Sequence, residues 1–377
     1  MLTALYNTQI VSAGAVCRGK AVIISGGHII EIVAESDIPA GAQKIDLKGA
    51  FVAPGFIDLQ IYGAGKSLFG SLPSVAALQD MENALLNEGC TGFFATVATN
   101  SNNVVFDAIE AAKQWRPHSN GNFLGLHLEG PYINPKRKGA HPEEYIKKST
   151  LTEIEEWVNR AEGEIKMITL APELQDEEVI KYLNAQGIIL SSGHSNATYR
   201  QAKRFLNKTI NAVTHLYNAM PPIHHREPGI IPAIFEERPY TSIVADGIHV
   251  DYAMVRLAKR ELGNKLFFIT DAVTEAKTGT YQHIRQGNKY TMPDGTLSGS
   301  ALTMLKAVQN GVEHAGFELA EAVNMASLYP AQLAGLATKG KVEAGYDADL
   351  IIFDAGFNTA FTIYKGKVHQ KNNQPLI

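Results

Sequence analysis

Residues 52–63 read VAPGFIDLQIYG. Phe56, Ile57, Leu59 and Ile61 make the run apolar, while Asp58, Gln60 and Tyr62 alternate with them. Side chains two apart on a strand share a face, so Asp58 and Gln60 project together from an otherwise buried strand. Upstream, the first fifty residues hold short β-like runs (AVIISGGHII, QKIDLKGAFV) broken by Gly and Pro, with no helical period. Downstream of Pro54 an apolar strand is followed by an amphipathic helix, and the alternation then repeats.

The strand candidates are GFIDLQIYG, CTGFFATVAT, NFLGLHLEG, IKMITLAPE, IILSSGHS, INAVTHL, TSIVADG and KLFFITDAV. Eight such units predict an α/β chain built as a (β/α)8 TIM-type barrel, whose chemistry belongs at the strand C-termini. An open doubly wound sheet would carry a Gly-rich dinucleotide fingerprint after its first strand, and none follows here. Thr152 with Glu155 reads as a capping box, and Asp176 as the cap of EEVIKYLNAQ, which Gly187 ends. After the eighth strand, TEAKTGTYQHIRQGNKYTMPDGTLSG (274–299) reads as a hairpin or lid. The tail from Lys341 returns to short strands, expected to pair with the N-terminal ones. The expected domains are a barrel over 54–336 and a small β-sandwich from 1–53 plus 337–377.

The totals exclude several function classes. With 34 basic and 38 acidic residues the formal net charge is -4, so no basic excess points to nucleic acid or anionic membrane. Cys17 and Cys90 are too few for a disulfide framework. The N-terminus lacks a basic region followed by a long apolar run, and no stretch approaches the ~18 apolar residues of a membrane span. These features predict a soluble cytoplasmic protein, in which the Asn-X-Thr triplets at Asn196 and Asn207 are chance.

Polar residues fall at strand ends. Glu129 closes FLGLHLE, His194 closes IILSSGH, His215 closes NAVTH and Asp271 closes KLFFITD, with His249 just past SIVAD. In a barrel these positions converge on one mouth. Two His and one carboxylate form a catalytic zinc set with an open position, and Mn2+ or Fe2+ suits similar donors. Asp271 is then placed to serve as general base and acid. His127, two residues before Glu129, is expected behind that set or in a structural role. GAGKS (63–67) fails as a phosphate loop, since Gln60 stands where the first Gly is needed. PKRKG (135–139) reads as a solvated loop near an anionic substrate, and Arg226 of His224-His225-Arg226 could clamp a phosphate.

With those residues in place, the chain resembles the amidohydrolase superfamily and, within it, the N-acetylglucosamine-6-phosphate deacetylase family. The resemblance runs nearly end to end through APGFID (53–58), GLHLEGP (125–131), KGAH (138–141), SSGHS (191–195) and THLYNAM (214–220). It continues through REPG (226–229), ADGIHVD (245–251), TDA (270–272), LSGSALTM (297–304) and GYDADL (345–350). The resemblance implies hydrolysis of a sugar acetamide to amine and acetate, with one divalent ion (Zn2+, or Mn2+, Fe2+ or Co2+) on Glu129, His194 and His215. Asp271 would move the proton, and His249 would orient the acetyl group. Ala140, His141, Asn218, Ala219, Arg226, Leu297, Ser298 and Gly299 would hold the phosphosugar. In the family that Arg comes from a neighbouring subunit, implying a homodimer or homotetramer.

Many amidohydrolases present an H-x-H pair at the end of strand one for a second metal. Gln60 and Tyr62 stand there instead, with Asp58 and Gln60 expected behind the single metal's ligands. A bridging Lys would close strand four, but that end reads LAPE (170–173) and Lys166 lies at the strand's beginning. The alternatives are the galactosamine epimer as substrate, a cyclic-amide hydrolase such as a dihydroorotase, or a non-catalytic sugar-phosphate-binding homologue.

Overall fold

The computed structural model describes residues 2–370. The last residues of the expected small domain, 371–377, lie outside the described residues. Eight strands form one sheet in chain order: Phe56–Ile61, Cys90–Ala98, Phe123–Glu129, Ile165–Leu170, Ile189–Ser192, Ala212–Val213, Tyr240–Ile243 and Leu266–Phe268. From the second strand to the eighth every pairing is parallel. Just past the eighth strand, Ala272 bridges in parallel to Ile61 of the first. There Asp271 N donates to Gln60 O at 3.0 Å and Tyr62 N to Ala272 O at 2.9 Å. That return closes the sheet into the expected barrel, and a helix follows each of the first seven strands.

Local rules explain most boundaries and correct two expectations. The helix Leu151–Ala161 buries Ile154, Trp157 and Ala161, the three- and four-residue spacing of one helical face. Its cap is Thr150, not Thr152, and the Thr150 side chain accepts from Glu153 N. A cap needs extended backbone, which Thr150 has (φ -118°, ψ 149°), whereas Thr152 already lies in the first turn. Asp176 does occupy the cap position of Glu177–Ala185, but its side chain makes no cap bond and instead meets Lys148 Nζ at 2.6 Å. A reciprocal capping box forms elsewhere, between Thr198 and Gln201.

The insert after the eighth strand is a three-stranded antiparallel sheet of Ile284–Gln286, Lys289–Thr291 and Leu297–Ser300. Near the chain ends, a six-stranded sheet joins both termini. Phe51–Pro54 pairs in parallel with Gln9–Ser12 on one side and antiparallel with Leu350–Phe353 on the other. A four-stranded sheet of His28–Ala34, Lys20–Ser25, Leu2–Tyr6 and Gln43–Asp46 accompanies it. Leu5, Ile10, Val22, Ile24, Val52, Leu350, Ile352 and Phe361 share one apolar core, so the terminal strands are held by burial as well as by pairing.

The chain divides into two compact units. One comprises residues up to Asp58, Asn83–Gly92 and the described chain from Thr303 on; the other comprises Leu59–Glu82 and Phe93–Leu302. Among the described residues no helix is long and apolar enough to cross a membrane.

Candidate active site

Every residue of the strand-end set falls in the unit Leu59–Glu82 plus Phe93–Leu302. His194, His215 and Asp271 adopt left-handed backbone, with φ of 47°, 34° and 54°. Non-glycine residues pay strain for that conformation, which turns each side chain inward where its strand ends. Gly193 is required beside His194, because a Cβ there would sit 2.5 Å from Thr169 Cγ2 and 3.0 Å from Thr214 Cβ.

Glu129 is the hub. His215 Nε2 lies 3.0 Å from its Oε1 and His194 Nε2 3.4 Å from the same oxygen. His141 Nε2 lies 3.2 Å from Oε2. The Nε2 atoms of His194 and His215 face each other at 3.1 Å. Two imidazole nitrogens and one carboxylate oxygen at such distances share too few protons to bond pairwise. His194 Nδ1 lies 2.8 Å from Arg137 O, which can only accept. That contact puts the proton on Nδ1 and leaves the Nε2 lone pair facing Glu129. Convergent lone pairs on a carboxylate and imidazoles are the donor set of a divalent cation, so the residues fit one. Glu129, His141 and His194 offer ligand atoms within 4.8 Å of one another, and His215 Nε2 adjoins Glu129 and His194.

Charge follows the same geometry. Burial pushes Glu129 up, but the surrounding His194, His141 and His215 outweigh it and hold the carboxyl well below its usual range. Burial pulls His215 down, yet its bond to Glu129 leaves the net shift upward. His141 is pushed down to about 4, by burial first and then by His194. Asp271 is raised by burial and by Glu129, against the attraction of His215.

One cavity is lined by Glu129, His194, His215, Asp271 and His249, with Ala140, His141, Asn218, Ala219 and Leu297–Gly299 beside them. His249 is held by Asp246, whose Oδ2 lies 2.6 Å from its Nδ1. Arg226 is exposed and does not line that cavity. Asp58 is buried and is not among the cavity-lining residues either.

An "Amidohydrolase family" model matches residues 51–370 and a "NagA composite domain" model residues 3–52. The chain belongs to the amidohydrolase family. It is 35% identical to the N-acetylglucosamine-6-phosphate deacetylase of Haemophilus influenzae, over 97% of this chain and 99% of that one. It is 34% identical to the Bacillus subtilis deacetylase, over 97% of this chain and 96% of that one. The crystal structure of the Pasteurella multocida deacetylase matches with a TM-score of 0.92 and 35% identity, over 98% and 100% of the two chains. An Asp-to-Ala mutant of the Mycobacterium smegmatis deacetylase, in complex with N-acetyl-D-glucosamine-6-phosphate, matches with a TM-score of 0.87 and 25% identity, over 98% and 99%.

In this amidohydrolase the H-x-H positions are filled by hydrogen bonds. Gln60 Nε2 donates to Asp271 Oδ1 at 2.7 Å and lies 3.1 Å from Glu129 Oε1, while the Tyr62 hydroxyl donates to Glu129 Oε2. Burial and the Glu129 charge push the Tyr62 phenol well above its usual range, so it stays a neutral donor. Lys166 is exposed at the start of its strand. His127 lies below the cluster, its Nδ1 3.0 Å from Leu59 O and its Nε2 2.7 Å from Thr169 Oγ1. Burial pushes it down to about 4, and it serves the barrel interior.

His141, expected as a sugar contact, lines the cavity and also adjoins Glu129, with its Nδ1 2.7 Å from Thr99 Oγ1. Tyr281 donates to Thr99 O at 2.7 Å, tying the insert to the loop behind His141. Thr99, Tyr281 and His283 carried no motif. Tyr62 did have a signal, since it occupies the second position of the missing pair.

Proposed function

We propose that this amidohydrolase removes the acetyl group of N-acetyl-D-glucosamine 6-phosphate, yielding D-glucosamine 6-phosphate and acetate. The observation carrying that reading is the convergence of Glu129, His194, His215 and Asp271 on one cavity, in a chain similar over nearly its whole length to such deacetylases. Glu129, His194 and His215 would hold one divalent ion, Zn2+ by donor type, with His141 a fourth candidate ligand. When bound, such an ion supplies an acidified water and polarises the amide carbonyl.

The chain's own residues do the rest. Gln60 fixes one oxygen of Asp271, and the raised pKa of that carboxyl makes it a stronger base than an ordinary aspartate. Asp271 takes a proton from water as the oxygen bonds to the acetyl carbon. The C–N bond then breaks, and Asp271 returns the proton to the departing amine nitrogen. Asp246 Oδ2, 2.6 Å from His249 Nδ1, fixes the ring so that its other edge would face the acetyl oxygen. Asn218, Ala219 and Leu297–Gly299 would flank the sugar.

Arg226, exposed and outside the cavity, suits a phosphate clamp offered to a neighbouring subunit of a homodimer or homotetramer. In this reading residues 54–336 carry the chemistry, while 1–53 with 337–377 form a supporting β unit. Exposed, unpaired Cys17 suits the reducing cytoplasm. The test is acetate release from the phosphosugar by protein of measured metal content, beside Asp271→Asn. No release by metal-loaded wild type, or near wild-type release by Asp271→Asn, would sink the proposal.

A further inference from the structure

His283 lines the same cavity as Asp271 and His249 but has no task in the mechanism. It comes from the insert, one residue before the strand Ile284–Gln286, and is only 5% exposed. Its Nδ1 lies 2.6 Å from Ser298 Oγ, and Tyr281 stacks on the ring with centroids 6.0 Å apart and planes 19° from parallel. Tyr290 meets it edge-on at 6.4 Å. Since the Tyr281 hydroxyl is itself fixed to Thr99 O, the imidazole has a set plane and one committed nitrogen.

The other nitrogen, Nε2, has no partner among the described residues. A ring nitrogen that lines a cavity without a protein partner marks a place for a ligand atom. Burial holds the ring neutral, pushing it down to about 4, so it suits a neutral polar group better than a phosphate dianion. If Ser298 donates to Nδ1, then Nε2 carries the proton; if Ser298 accepts, Nε2 offers a lone pair. A sugar hydroxyl answers either case, being both donor and acceptor.

We propose that His283 is a sugar-specificity residue whose Nε2 hydrogen-bonds one hydroxyl of the hexosamine ring, with Ser298 setting its tautomer and Tyr281 its plane. The proposal rests on the deacetylase reading and deepens it. His283→Phe keeps an aromatic ring and removes the nitrogens, while His283→Gln restores an amide near the Nε2 position. Both are compared with wild type for kcat/KM on N-acetylglucosamine 6-phosphate and its 1-, 3- and 4-deoxy analogues, with metal content and circular dichroism measured alongside.

His283→Phe is expected to lose roughly tenfold in kcat/KM, mainly through KM, at unchanged metal content, with part regained by His283→Gln. One deoxy analogue should cost wild type a similar factor and cost His283→Phe nothing further. Equal kcat/KM for wild type and His283→Phe on the parent sugar overturns the proposal, as does a penalty identical on every analogue. Should His283→Phe fail to fold, Ser298→Ala replaces it, with the same loss of discrimination expected and its absence equally decisive. A wild type that releases no acetate overturns the substrate reading beneath it instead.

Discussion

Two ionic clusters in this protein, each built around a buried carboxylate, differ in completeness. In the terminal unit, Lys339 Nζ lies 3.0 Å from Asp347 and bonds Asp349, whose other oxygen accepts from Lys365 N at 2.8 Å. Burial would lower Lys339, but the attraction of Asp349 outweighs it and the net shift is upward. That cluster contains its own cation. At the barrel mouth one carboxylate is ringed by three imidazoles, and two Nε2 atoms face each other at 3.1 Å. Among the described residues no Lys or Arg is paired with Glu129. A buried cluster closed by its own counter-ion reads as structural, whereas one with converging lone pairs reads as a site for an added cation.

The sharpest test of that contrast is Asp271→Asn. It should lower kcat by about 10^2–10^4-fold while metal content stays at the wild-type ratio, because the proton carrier goes and the donor set remains. Lys339→Met should do the reverse. Removing one partner of a buried pair costs about 3–5 kcal/mol, so its chemical-denaturation midpoint should fall, with turnover per folded molecule and metal stoichiometry intact. Altered metal content in Lys339→Met would break the comparison. Glu129→Gln should weaken metal affinity by roughly 100-fold, read by competition with a chelating dye, while the fold survives in circular dichroism.

The smallest effect concerns pH. A neutral His283 with a native pKa of about 4 and an ordinary value of 6.5 when unfolded makes the unfolded chain bind the extra proton between those values. Its stabilisation is therefore whole above pH 6.5 and fades as pH falls toward about 4, by at most about 3 kcal/mol. Lys339, with its pKa raised above 10.5, contributes stability that is complete throughout that range and is lost only in strong alkali. The denaturation midpoint of His283→Phe should accordingly vary less between pH 7 and pH 4 than that of wild type.

Much of the barrel could be read from the chain because strand and helix periods are local. Phe56–Ile61 and the seven apolar runs after it appear as strands where alternation placed them. Glu129, His194, His215 and Asp271 were legible for the same reason, each ending an apolar run. Thr150 displaced Thr152 as a cap because backbone angle, not composition, selects the cap residue. Asp176 kept its position but gave its carboxylate to Lys148, a partner 28 residues away. His141 could be named but not placed, since the turn that carries it has no periodicity to read.

The sequence by itself determined a barrel with polar residues at its strand ends, because side-chain alternation and helical spacing are short-range properties. Only the tertiary structure decided that Tyr62 and Gln60 bond the carboxylates of Glu129 and Asp271, and that His283 lines the same cavity. Those contacts join residues 67, 69, 211 and 15 positions apart, and no local period records them. They exist because closing the sheet at Ile61 and Ala272 carries distant strand ends to one place, where burial gives each unpaired polar atom a cost.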